Sequence, residues 1–252
     1  RKPMFEYNGE KKPMYFNDHH LSHAASAYYA APFDDAIVIT LDGGGDGFDG
    51  SVYIGKGAEV KNIWNIPHLQ SPCTMYSGLT HDLGFKRLRH EGKLTGLAAY
   101  GNDDTKRLGI DDIVKYNPKK KRFISKLIAN HQKNPLSTSP YFGPKLDKFS
   151  REDLTAGMQK LFEREVLKFI THAVEACKAQ GYRCKNIATA GGAFANVKMN
   201  QRIRQLGFFD DVFIFPAMGD DGLSVGGALN CYYQTQKPSD KSASVIDAPY
   251  FG

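Results

Sequence analysis

Apolar and polar positions divide the chain into segments of two different periods. After Pro32, the run "DDAIVITLDGGGDGFDGSVYIGKGAEVKNIWNIP" alternates β-branched apolar stretches with glycine-rich turns. It predicts a strand over Ala36–Leu41, a tight loop over Gly43–Gly50, a returning strand over Ser51–Ile54 and a third over Ala58–Ile66, in an antiparallel meander. Met75, Leu79 and Leu83 then recur at helical spacing, and a glycine-punctuated segment follows around Lys93–Tyr100. Between 102 and 149 the chain is polar and dotted with prolines, and its pattern assigns no element.

The helical period returns at Ser150, a capping residue with Asp153 three positions on. Leu154, Met158, Leu161, Leu167 or Val166, Phe169, Ile170 and Ala173 keep one apolar stripe until Gly181, so a long helix packed on one face is expected. Beyond it, "NIATAGG", "ANVKMNQRIRQLG", "DVFIFPA" and "LSVGGALNCYYQTQ" read as strand, helix, strand and helix. That alternation predicts an α/β fold in which helices cover a sheet.

Composition narrows the class. A chain of 252 residues is long enough for one large domain or two small lobes with a sizeable core. No apolar run reaches the roughly 20 residues a bilayer crossing needs, and no signal-type segment is seen, so a soluble, cytoplasmic protein without membrane association is expected. Cys73, Cys177, Cys184 and Cys231 lack both a CxxC pair and the dense spacing of a disulfide scaffold, which points to free thiols in a reducing compartment. Part of the net charge of +6 sits in "NPKKKRFISK", Asn117–Lys126, an exposed connector by its pattern. Aromatic residues do not alternate with basic ones there, so nucleic acid is not the expected partner.

The densest chemistry lies in "YFNDHHLSHAASAYYAAP", Tyr15–Pro32. A helix capped by Asp18 and running through this segment sets His19 and His23 four residues apart on one face, with His20 about 100° away. Two imidazoles at that spacing suit one divalent ion. The same pattern equally fits a cap neighbour beside a buried, hydrogen-bonded histidine. A third ligand separates the two, and "GDDGLSVGGAL" offers Asp220 and Asp221 at a glycine-flanked helix start. Two histidines and one carboxylate form the facial pattern that suits Fe(II) and leaves positions open. Three glycine-rich loops, "LDGGGDG", "TAGGAFAN" and "MGDDG", follow strands and would let a backbone approach phosphate, the last two also opening helices that favour anions. Neither the Walker pattern nor GxGxxG is present, which excludes those nucleotide-binding motifs.

In this order, "DHHLSHAASA", "LDGGGDG", "EGKLTGLAAYG", "GGAFANVKMN" and "GDDGLSVGGAL" resemble the first domain of the NodU/CmcH-type O-carbamoyltransferases. That family is similar to the universal tRNA threonylcarbamoyl-transfer proteins and shares the ASKHA fold of actin, heat-shock chaperones and sugar kinases, a ribonuclease H-like mixed sheet flanked by helices. The resemblance spans Asp18–Leu229. It implies an iron-type metal on His19, His23 and Asp220, and a carbamoyl-adenylate against Gly43, Gly44, Gly45, Gly191, Gly192 and Asn196. Lys93 in "EGKLTG" becomes a candidate for charge stabilisation. Ala99 stands where the family often has proline, and "GGAFAN" replaces the common "GGVALN", differences that keep the glycines and Asn196 but reshape a pocket beside Phe194.

The resemblance also implies a division of the chain: 1–33 as the end of the first ASKHA lobe, 34–235 as the second lobe, and 236–252 as a linker toward a YrdC-like domain that makes the adenylate from carbamoyl phosphate and ATP. A fragment of a longer enzyme, with a further segment before it and a possible homodimer, is the expectation. Two other readings stay open on residues alone: a phosphoryl-transferring kinase using Mg²⁺, which would not need His19 or His23, and a non-catalytic nucleotide-binding or nucleic-acid-associated module.

Overall fold

The computed structural model describes residues 3–68, 71–126, 139–241 and 244–245. An exposed hairpin of β1 (Met4–Tyr7) and β2 (Glu10–Pro13) turns at Asn8 and Gly9, whose φ angles of 51° and 76° give the twist a two-residue turn requires. Helix α1 (His19–Ala30) follows. Its cap Asp18 accepts the Leu21 amide at 3.0 Å, and the chain turns extended at Ala31, just before Pro32, where a helix is disfavoured.

The meander forms as its pattern predicts, from β3 (Asp35–Gly45), β4 (Phe48–Lys56) and β5 (Glu59–Pro67). One expectation changes. The glycine-rich segment 43–50 is not a loop: β3 runs to Gly45 and β4 begins at Phe48, leaving only Asp46 and Gly47 as a turn, both with positive φ. The register slips between Leu41 and Gly45, so the glycines form a bulge inside the ladder rather than ending it.

Helices α2 (Pro72–Asp82) and α3 (Glu91–Leu97) come next, matching the helical spacing there. In the polar stretch that gave no pattern, β6 (Val114–Asn117) and β7 (Arg122–Ser125) form a hairpin that carries the basic run at its tip, and α4 spans Ser139–Leu146. The long helix α5 (Arg151–Ala179) is capped by the Ser150 hydroxyl, which accepts the Asp153 amide, and the chain leaves it through Gly181 at φ +89°. Strand β8 (Asn186–Ala190), helix α6 (Val197–Gln205), strand β9 (Asp211–Ile214) and helix α7 (Leu223–Gln236) complete the alternation.

The sheet order is β5-β4-β3-β8-β9, with β8 parallel to both neighbours and the meander antiparallel. It is a mixed sheet flanked by helices, as expected. Side chains alternate across it with the period of two that a strand imposes. Ile37, Ile39 and Leu41 face α2 and α5 with Met75, Leu161 and Phe169; Ala36 and Val38 face α1 with Ala24, Ala27 and Tyr28. Helix α1 shares this second core with β3, β8 and α7. Most of the linker segment 236–252 lies outside the described residues. All four cysteines are free thiols. Among the described residues no helix is long and apolar enough to cross a membrane.

Two predictions follow from this packing. Helices α1 and α7 meet so closely that a Cβ on Gly226 would lie 1.8 Å from the backbone oxygen of Ser22. Gly226→Ala forces them apart and lowers stability by about 1–3 kcal/mol in denaturant unfolding. His20, wholly buried, takes a hydrogen bond from Thr40 at Nδ1 and donates from Nε2 to the Phe48 carbonyl, each 3.0 Å long. Burial lowers its pKa to about 4. The unfolded chain protonates this group near pH 6.5 and the folded chain only near 4, so folding stability drains away as pH falls through that window. The metal-free wild type loses about 3 kcal/mol more than His20→Gln between pH 6.5 and 4 in urea titrations.

Candidate functional site

The N-terminal turn of α1 abuts the bulged end of β3, and four ligand-type side chains meet there. The Nε2 of His23 lies 3.1 Å from Oδ2 of Asp42 and 3.4 Å from Oδ1 of Asp220; the Nε2 of His19 lies 3.9 and 3.8 Å from the same two atoms. One donor atom from each of the four residues fits within 4.8 Å of all the others. His19 and His23 come together because a helix stacks residues four apart, and the rings sit 4.8 Å apart, edge to face. Asp220 arrives from the single 3-10 turn Asp220–Gly222 that opens α7, which Gly222 allows to fold tightly against Ala217. The helix start is itself fixed to the sheet, since the His19 amide donates to Asp46 in the β3–β4 turn at 2.7 Å.

Asp42 is the member that sequence reasoning passed over. It stands in "LDGGGDG", a loop read only for its glycines, and the aspartate just after a strand was the available signal. Its placement dominates the electrostatics. Burial pushes the Asp42 carboxyl up, but the nearby His19 imidazole, the hydrogen bond with His23 and the Gly43 amide overcome this and hold it well below the usual carboxylate range. The Asp42 carboxylate, 3.9 Å from its Nε2, raises His19 above its ordinary value against the opposing burial, with Asp220 and Asp46 adding to it. Asp220 is raised by burial and by the neighbouring charge of Asp42. Two carboxylates thus crowd one point, and a buried Nε2 on His19 has no hydrogen-bond partner among the described residues. Both features fit a divalent cation: it would neutralise the paired acids and take the unused lone pair.

The predicted glycines prove to be contact points. A Cβ on Gly45 would strike the His19 ring at 2.3 Å, one on Gly44 the His68 ring at 2.2 Å, and Gly43 opens on free space. Gly191, at φ +104°, lies against the backbone of Leu41, and a Cβ on Gly192 would sit 3.3 Å from the Asp42 carboxylate. These glycines therefore let the second loop close on Asp42. Asn196 caps α6, accepting the Met199 amide at 3.0 Å, and pairs amide to amide with Gln159 of α5. Beside that pair, Ala98, Gly101, Gln159, Lys160, Glu163 and Arg202 line an open polar cavity of about 380 Å³, within the range of small-ligand sites. Lys93 is not one of the four clustered residues; its ammonium lies over the Phe85 ring, 5.5 Å from the centroid.

A mixed sheet flanked by helices, with two histidines and two aspartates converging at the end of its central strand, defines an α/β domain with a candidate metal site. The chain belongs to the family described as the carbamoyltransferase N-terminus, whose model matches residues 7–229. Among its relatives, a Synechocystis protein described as uncharacterized is 33% identical over 232 residues, 88% of this chain and 37% of that one. Nodulation protein NolNO of Sinorhizobium fredii is 30% identical over 230 residues, 89% of this chain and 32% of that one. The chain thus spans about a third of the length of these relatives. The crystal structure of HypF from T. kodakarensis shares the fold, with a TM-score of 0.54 at 16% identity over 91% of this chain and 38% of that one.

Proposed function

We propose that the chain is the transfer module of an O-carbamoyltransferase. It would hold a carbamoyl-adenylate, made from carbamoyl phosphate and ATP, while a hydroxyl of a small-molecule or sugar acceptor attacks the carbamoyl carbon. The observation that carries this reading is the convergence of two imidazoles and two carboxylates within 4.8 Å in a member of the carbamoyltransferase family. His19, His23 and Asp220, joined by Asp42, would hold a divalent cation, and two histidines with carboxylate oxygens and open positions suit Fe(II). When bound, that ion supplies a Lewis acid for carbamoyl or phosphoryl oxygens as charge develops on them.

The chain's own residues do the rest. Gly43 opens on free space beside Asp42, with Gly44 and Gly45 following it and Gly191 and Gly192 facing it, and the amides of these glycines with the start of α6 at Asn196 would meet the charge of departing AMP. The cavity next to the Asn196–Gln159 pair is where the adenosine would lie. Lys93, a few residues before that cavity's Ala98, is assigned to charge stabilisation. In this reading the described chain comprises the end of a first lobe, a second lobe and the start of a linker toward a YrdC-like adenylate-forming domain, all in the cytoplasm.

Metal analysis on anaerobically purified protein tests the reading first. About one iron per chain is expected in the wild type, with His19→Ala, His23→Ala and Asp220→Ala each losing it while retaining a native circular dichroism spectrum. Stoichiometric iron in His23→Ala would remove the ligand assignment. Asp42→Asn should also weaken retention, by about ten-fold or more, because it halves the carboxylate charge at the centre.

A further inference from the structure

A histidine outside the four-residue cluster has the surroundings of a proton acceptor. His68 follows β5 directly, and its amide donates to the Gly47 carbonyl at 3.0 Å, which ties it to the β3–β4 turn. Its Nδ1 lies 2.7 Å from Oδ1 of Asp49. Asp49 is wholly buried, and its other oxygen accepts the Ser71 amide, also at 2.7 Å. A carboxylate can only accept, so the shared proton sits on Nδ1 and the Nε2 of His68 presents a lone pair. The His68 side chain is 45% exposed, so the ring is reachable from solvent. A base oriented by a buried carboxylate is the arrangement that general-base chemistry uses.

Its position relates it to the metal cluster. The His68 ring lies against Gly44 and the His19 ring against Gly45, so the two imidazoles flank neighbouring residues of the bulge in β3, where the regular alternation of faces is broken. The turn that anchors His68 through Gly47 also anchors α1 through Asp46. Nothing in the family assignment or the cluster accounts for the His68–Asp49 pair.

We infer that His68 is the general base of the transfer step, with Asp49 as the residue that positions it; this rests on the carbamoyl-transfer reading. As the acceptor oxygen bonds to the carbamoyl carbon, its proton passes to Nε2 of His68. The bond from that carbon to the phosphate oxygen breaks, AMP leaves with the electron pair, and the imidazolium, stabilised by Asp49, returns its proton to water. Gly44 is required here because any side chain would displace the ring that takes the proton.

The test uses the iron-loaded protein that carries this chain at its natural length, with synthetic acetyl-adenylate as the acyl donor and water as the attacking hydroxyl. AMP release is followed alongside iron content and AMP binding. His68→Asn keeps an amide to donate to Asp49 but has no base; His68→Ala leaves room for added imidazole. Both should bind iron and AMP as the wild type does, release AMP about 10²–10⁴-fold more slowly, and in His68→Ala recover rate with imidazole. An unchanged rate in His68→Asn, or a loss in His68→Ala that imidazole does not restore, overturns the assignment of His68 alone. A wild type that releases no AMP in an iron-dependent manner overturns the carbamoyl-transfer reading, and this inference with it.

Discussion

Everything at this site depends on how closely helix α1 lies on the sheet. The ligands of the cluster come from a helix, a bulged strand and the turn that opens another helix, and short side-chain reach means that the three backbones must nearly touch. Small residues make this possible: Ala24, Ala27 and Ala30 on α1 against Ala36, Val38, Ala188 and Ala190 on the sheet, and Gly226 of α7 beneath the Ser22 carbonyl. A larger side chain at any of these points would lift α1 and separate the two imidazoles from Asp42 and Asp220. Alanine gains little from burial on its own, so the fit is secured by polar ties at the helix ends. Asp18 and Asp46 bind the first amides of α1, while the buried ammonium of Lys241 donates to the Tyr28 and Ala31 carbonyls at its far end.

The electrostatic design follows from the same closeness. Asp42 is the negative centre around which two histidines gather, and its burial makes each interaction stronger than it would be in water. Asp220 adds a second negative charge from the more exposed side, which the first one disfavours. His20, one residue from the cluster, is turned the other way and spends both ring nitrogens on the sheet, so three adjacent-looking histidines divide into two ligand candidates and one structural fastener.

Glycine has two uses in this molecule. In the β3–β4 turn and at Gly191 it supplies positive φ. At Gly44, Gly45 and Gly192 it leaves space in which His68, His19 and Asp42 rest. A motif that reads as a phosphate loop is thus also a bed for imidazoles.

The sequence by itself determined the helices with one-sided stripes, the meander, the capped starts at Asp18 and Ser150, and the pairing of His19 with His23, because those properties are local and periodic. It also made Asp220 a candidate, through its place at a glycine-flanked helix start. Local pattern was insufficient elsewhere. The Asn8-Gly9 hairpin is short and exposed, and the β6 and β7 strands have four residues each, too few for their buried Val114, Tyr116 and Phe123 to establish a period. The glycines of 43–45 read as loop, since continuation of a strand through them is decided by pairing with β4 and not by their own preference. Asp42 and His68 were legible as residues but not as partners. Asp42 lies 19 residues from His23 and His68 lies 19 from Asp49; the packing of α1 on β3 brings the first pair within a hydrogen bond, and the β4–β5 ladder brings the second.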